Sequence, residues 1–306
     1  MPIKIPKELP AYDALSGERV FVMTEDRAEH QDIRPLRVGI VNLMPTTIDT
    51  EIQLLRLLGN SPLQVDITFL NMGSHASKNA PPGHLEKFYI STEEIVCMKV
   101  RFDGLIITGA PVETLPFEEV DYWDELAKII DYSEKNVFST LHICWGAQAG
   151  LYRRYKIPKK HLGKKLFGVF PHAVHELRHS LFRGFDDEFL APQSRHTTCD
   201  RDAIISESRL SIQSESAQTG VFIATARDGR EIYVTGHLEY DALTIDREYR
   251  RDISKGIKID IPVNYYPGND PSKTPVVRWR AHANLFFDNW LNYVYQETPY
   301  NLDDLT

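Results

Sequence analysis

One thiol, one imidazole and one carboxylate in this chain sit where they could together carry an acyl group. Cys144 closes an apolar run, Phe138 to Ile143, and is followed by Trp145, Gly146, Ala147, Gln148 and Ala149, mostly small residues with good helix propensity. A sharp strand-to-helix turn there would lift the thiol out of a sheet and aim helix N–H groups at it. The positive end of the helix dipole favours the thiolate, which is the reactive form. Further along, the short strand-like stretch Ile232 to Gly236 ends at His237, with Glu239 two residues on. On an extended segment Glu239 faces the same side as His237, so its carboxylate would orient the imidazole. Cys144 as nucleophile, His237 as base and Glu239 as third member make an activated acyl-transfer site. The oxyanion would rest on the backbone N–H of Trp145 and on one from the loop Gly109-Ala110-Pro111. Pro111 has no N–H and cannot be that donor, and Ala110 is taken as the loop's donor.

Such groups need a scaffold that brings strand ends together. Leu36 to Leu43 reads as a buried strand, and Ile48, Ile52, Leu55 and Leu58 follow at near-helical spacing. Leu63 to Leu70 supplies a second strand and Phe102 to Thr108 a third. A helix from Val120 to Ser133 then returns the chain to the strand that ends at Cys144. Alternating strands and helices predict an α/β fold, a doubly wound and mostly parallel sheet with helices on both faces. Ligands then bind beyond the carboxyl ends of the strands, where the loop after Leu43, the Gly109–Glu113 loop and the Cys144 turn converge. Leu210–Ser214, Val221–Ala224 and Ile232–Val234 are expected as added antiparallel or edge strands. Residues 1–34 read as an arm, 35–300 as one domain and 301–306 as a tail. An aromatic-rich amphipathic helix is expected in the stretch from Val276 to Tyr295.

Bulk properties restrict the function classes. With 42% hydrophobic and 25% charged residues the 306-residue chain has an ordinary globular composition. Its net charge of -8 argues against a general nucleic-acid binder, although Arg153-Arg154, Lys159-Lys160 and Lys164-Lys165 could gather into a local basic pocket. Three scattered cysteines make neither a disulfide framework nor a zinc site, so a reducing cytoplasm is expected. Cys97 and Cys199 lack the context of Cys144 and read as structural. His172, His175 and His179 have no carboxylate at ligand spacing, so no metal is expected. With no long apolar segment near Met1, neither a signal peptide nor a membrane span is expected.

With these residues in view the chain resembles the homoserine O-acyltransferases of methionine biosynthesis, a family related in fold to class I glutamine amidotransferases, which are flavodoxin-like. The resemblance runs through Met1-Pro2-Ile3, Phe21 to Thr24, Asn42 to Pro45, Asn60 to Asp66, Phe102 to Pro111, Cys144-Trp145, Phe185-Asp186, Gly236-His237, Glu239 to Asp241 and Asn289 to Tyr293. It implies that Cys144 is the acyl-thioester nucleophile, His237 the base and Glu239 the third member. It also implies that Lys165, Ser194 and Arg251 bind substrate, with Lys164 and Arg250 as one-residue alternatives. A planar guanidinium suits the carboxylate of homoserine. The family divides by acyl donor at the position that is Glu113 here, as in acetyl-transferring members; glycine there goes with succinyl-CoA. A glutamate would fill the space of the longer acyl group and repel its carboxylate. Met44 to Ile48 departs from the succinyl-transferring pattern, which tends to carry lysines. The resemblance thus implies transfer of acetyl from acetyl-CoA, a cosubstrate and not a bound cofactor, to L-homoserine. A homodimer is expected, with no nucleic-acid or membrane partner. The alternatives are succinyl transfer and, from another reaction class, a glutamine amidotransferase or hydrolase.

Overall fold

Leu36–Val41, Phe102–Ile107 and Val137–Ile143 are built almost wholly from residues that tolerate burial on both faces, and they form the middle of the sheet. The computed structural model describes residues 3–17, 22–23, 34–74 and 80–305. The chain opens with β1 (Ile3–Lys4), α1 (Pro10–Gly17) and β2 (Val22–Met23), then runs through β3 (Leu36–Val41), α2 (Thr47–Leu58) and β4 (Val65–Asn71). Next come α3 (His84–Phe88), β5 (Tyr89–Ser91), α4 (Thr92–Met98), β6 (Phe102–Ile107), α5 (Trp123–Asn136), β7 (Val137–Ile143) and α6 (Trp145–Tyr155). Then β8 (Lys159–Val174), β9 (Glu188–Cys199), α7 (Arg201–Ser206), β10 (Leu210–Ser216), β11 (Gly220–Ala226) and β12 (Glu231–Val234) follow, before α8 (Thr244–Ser254) and α9 (Arg280–Glu297).

The strands lie in the order β2-β1-β4-β3-β6-β7-β12-β11-β10-β8-β9, with β5 beside β4. Pairings from β2 to β12 are parallel; those from β12 to β9 are antiparallel. Helices α1, α2 and α9 pack in the hydrophobic cluster on one face, and α4, α5 and α6 contribute to that on the other. The doubly wound expectation holds, and the antiparallel extension lies on the β9 side.

One expectation needs correction. Ile232–Val234 pairs antiparallel with β11 as expected but is not an edge element: β12 also pairs in parallel with β7, Val234 opposite Ile143, and sits inside the sheet. Its short length suggested an edge, yet Glu231 to Val234 are all buried because β7 and β11 flank them. The larger surprise is the hairpin of β8 and β9, whose polar and charged residues gave no clear strand signal. Those side chains belong to a long strand pair that leaves the sheet's hydrophobic zone at its Lys159 end, where burial falls away. The basic runs do not gather into one pocket. Arg153 pairs with Asp131, Arg154 with Glu134, Lys160 with Asp200, Lys164 with Asp260 and Lys165 with Glu248.

The ends of the chain join the body. Ile3 pairs with Val65 of β4, and Ala11 and Leu15 of α1 are fully buried; Phe21 lies outside the described residues. Leu302 is buried and its carbonyl accepts from Arg101. Helix α9 begins at Arg280, later than Val276, and its Trp290 indole donates to Ser139 Oγ of β7 at 3.0 Å.

Candidate active site

Parallel pairing of β7 with β12 brings the two reactive segments together. Ile143 and Val234 are paired residues at the ends of these strands, and the next N–H, that of Cys144, donates to the Val234 carbonyl at 2.7 Å. The chain then turns straight into α6. Cys144 adopts φ 51° and ψ -115°, a conformation disfavoured for a side-chain-bearing residue. Close packing holds it there. A Cβ on Gly146 would stand 2.5 Å from the Thr108 carbonyl oxygen, and one on Gly109 would stand 3.2 Å from Cys144 Cβ. Glycine at both positions lets the β6 loop and the first turn of α6 close around the thiol. Trp145 begins α6, so its N–H belongs to the turn that a helix leaves without internal acceptors. Ala110 is buried in the loop beside Gly109.

The second segment leaves the sheet at Val234, so His237 and Glu239 do not lie on a strand as the spacing suggested. A bend brings them together instead. The His237 N–H donates to the Pro192 carbonyl of β9 at 3.0 Å, and its Nδ1 meets Glu239 Oε1 at 2.6 Å. Both side chains are buried, and the imidazole lies beside the Cys144 thiol. Burial opposes charging His237, but negative charge at Cys144 and Glu239 outweighs it and holds the imidazole well above its ordinary value.

The other two thiols differ. Cys199 is buried without an imidazole, and burial first, against the attraction of Arg195, pushes it up to about 12. Cys97 is exposed on α4. Among the described residues no group of His, Cys, Asp and Glu is arranged to hold a metal ion.

A cavity of about 210 Å³ opens beside His237 and Glu239, walled by Met44 to Thr46, Gln53, Pro111, Tyr240 and one face of α8. Thr244, Arg247, Glu248 and Arg251 supply that face. Lys165 Nζ lies 3.2 Å from both Glu248 Oε2 and Asp252 Oδ2, and the Ser194 hydroxyl donates to Glu248 Oε2. Arg251 Nε donates to Asp252 Oδ1 at 2.8 Å, and its side chain is half exposed at the wall. Lys164 and Arg250 turn elsewhere, to Asp260 and Asp246.

Glu113 lies outside this wall. Its carboxylate accepts from the His196 N–H at 2.9 Å and the Thr197 hydroxyl at 3.3 Å, and Thr197 also reaches Gln148 in the second turn of α6. Glu113 is therefore tied to β9 and, through Thr197, to the helix that starts at the thiol.

Sequence reasoning missed Tyr240, Glu248 and Asp252. A signal for Glu248 was present: Thr244, Arg247, Glu248 and Arg251 recur at i, i+3, i+4 and i+7, a polar stripe on one helix face. Asp252 gave no such signal, because its distant partner Lys165 reaches it only through the fold, while Arg251 is its neighbour in the chain.

Residues 2–300 match the family described as homoserine O-succinyltransferase. Proteins named homoserine O-acetyltransferase are similar along the whole chain. That of Petrotoga mobilis is 59% identical, covering 100% of this chain and 98% of its own length. That of Acetivibrio thermocellus is 57% identical, with 100% of both chains covered. Among solved structures, a glutamine amidotransferase from Thermotoga maritima aligns with a TM-score of 0.56 at 12% identity, covering 86% of this chain and 99% of that one. The glutaminase domain of a Trypanosoma brucei CTPS aligns at 0.53 and 10% identity, covering 87% and 96%. At such identities these two likenesses speak for the shared fold alone.

Proposed function

The chain belongs to the homoserine O-acyltransferase family, and from that premise we propose that it transfers acetyl from acetyl-CoA to the hydroxyl of L-homoserine. The observation that carries the chemistry is the buried contact series from Cys144 to His237 to Glu239, ending in the 2.6 Å bond. Cys144 thiolate attacks the thioester carbonyl of acetyl-CoA, and the tetrahedral oxyanion rests on the N–H groups of Trp145 and Ala110. The carbonyl re-forms as the carbon–sulfur bond to CoA breaks, and the departing thiolate takes its proton from His237. One thioester has replaced another, so the acyl group stays activated.

Homoserine then enters the 210 Å³ cavity. Arg251 takes its carboxylate, and Glu248 its ammonium; Lys165 and Ser194 hold Glu248 in place. His237 removes the hydroxyl proton as the oxygen attacks the acyl carbon, and the Cys144 thiolate leaves. O-acetylhomoserine is the product. The cycle is ping-pong.

The name succinyl in the family's description and the name acetyl in the relatives differ in the donor only. Glu113 supports the acetyl assignment, because its anchored negative carboxylate disfavours a donor that carries another. Rates of CoA release with acetyl-CoA and with succinyl-CoA, each with homoserine, test this directly. Preference for acetyl-CoA is expected, and equal or better use of succinyl-CoA overturns the donor assignment. The chain is further proposed to act as a homodimer in a reducing cytoplasm, where Cys144 remains a free thiol. Among the described residues no helix is long and apolar enough to cross a membrane.

A further inference from the structure

Tyr240 follows Glu239 directly, and none of the steps above uses it. Its ring lies nearly parallel to the His237 imidazole, with centroids 4.0 Å apart and planes 19° from parallel. Its hydroxyl donates to Glu248 Oε1 at 2.7 Å. The Trp279 indole N–H, itself buried, donates to the Tyr240 carbonyl at 2.9 Å and fixes the residue from behind. Burial first, then the negative charges of Glu248, Cys144 and Glu239, push the phenol well above its ordinary value, so it stays protonated. One side chain thus touches both the base and the carboxylate of the acceptor pocket.

From this geometry we infer that Tyr240 is a positioning residue that couples the two halves of the site, its ring steadying the His237 imidazolium and its hydroxyl setting the Glu248 carboxylate. An aromatic face attracts a cation laid over it. Parallel contact also resists rotation of the imidazole, so Nδ1 keeps Glu239 while the opposite edge faces the thiol. The hydroxyl removes rotamer freedom from Glu248 before substrate arrives, which lowers the cost of binding an ammonium there. A tyrosine that merely filled space would account for the burial and the Trp279 bond. It would not need to meet both functional groups at once.

The hydroxyl half of the inference rests on the assignment of Glu248 to the homoserine ammonium; the ring half does not. Two substitutions separate them. Tyr240→Phe keeps the ring and loses the hydroxyl. Tyr240→Leu loses both, and Tyr240→Met offers a second non-aromatic filling of the same space should the leucine variant not fold. The titration of the His237 ring, followed by NMR without substrates, is expected to be unchanged in Tyr240→Phe. In the non-aromatic variant it should move down by roughly half a unit to one and a half units. With both substrates, Tyr240→Phe should raise the KM for homoserine about tenfold while leaving the acetyl-CoA half-reaction within about twofold. A non-aromatic variant that titrates like the parent overturns the ring's role, and a parental homoserine KM in Tyr240→Phe overturns the hydroxyl's. Failure of the parent enzyme to use homoserine at all would instead refute the proposed function, and the NMR titration would still decide the ring's role.

Discussion

Two regions of this molecule bury the same chemical groups with opposite results. At the carboxyl ends of β7 and β12, Cys144 meets His237 and Glu239, and the imidazole is held above its ordinary value. At the end of the edge strand β9, without such partners, Cys199 is as buried as Cys144, at 7% and 6% exposure, yet its thiol is pushed up to about 12. His142 in β7 and His172 in β8, also buried, are lowered to about 3, with burial as the first cause of both shifts. Burial alone makes a thiol inert and an imidazole neutral. For the imidazole of His237, the complementary partners at the strand ends reverse the outcome, because their negative charge stabilises its positive one.

The sharpest way to break the comparison is to exchange the thiols' fates. Cys144→Ala should lose turnover by on the order of a thousandfold or more, measured as CoA release, because no acyl-enzyme can form. Cys199→Ala should keep activity within about twofold and lose about 1–2 kcal/mol of stability in denaturant melts. Comparable activity losses in both would refute the division. Next in size is Glu239→Gln, which keeps the shape but removes the charge opposite His237 Nδ1. A fall on the order of a hundredfold to ten-thousandfold in kcat is expected, and a change under about threefold would show that the carboxylate contributes little.

Legibility followed the same division. The Cys144 turn could be read locally, since an apolar run, a thiol and small helix formers are adjacent in the chain. The parallel centre of the sheet was legible for the same reason: each βα unit carries its own periodicity. The cavity lined by α8 was reached only through the family resemblance, which named Lys165, Ser194 and Arg251, because Lys165 and Ser194 come from the β8–β9 hairpin while Glu248, Arg251 and Asp252 come from α8. Such long-range charge pairing leaves no local pattern. Expecting β12 at an edge failed because four residues cannot reveal neighbours supplied by distant strands. Glu239 was read as facing His237 along a strand, and it does face His237, but through a bend pinned by the Pro192 carbonyl.

Smaller effects sharpen the comparison through packing and pH. Gly146→Ala places a methyl against the Thr108 and Ile107 carbonyl oxygens, so α6 must shift. About 1–3 kcal/mol of destabilisation is expected, together with slower alkylation of Cys144. Unchanged melting and alkylation would show that the turn relaxes without cost. Stability against pH should carry opposite signs in the two regions. His142 and His172 are depressed in the fold, so their contribution is present above the ordinary value of 6.5 and is lost as pH falls toward 3. The loss is about 1.4 kcal/mol per histidine for each unit crossed. His237 is raised, so its contribution is present below that ordinary value and is lost as pH climbs through its folded value. His237→Ala should therefore flatten the alkaline side of the stability profile only; flattening of the acid side would assign the titration to the wrong region.

The central claim is that Cys144 carries the acyl group between donor and acceptor. Mass spectrometry of the protein mixed with acetyl-CoA in the absence of homoserine tests it most directly. The expected result is the mass of one acetyl group on the peptide that contains Cys144, released as O-acetylhomoserine when homoserine is added. An unmodified Cys144, with CoA released only once homoserine is present, would contradict it.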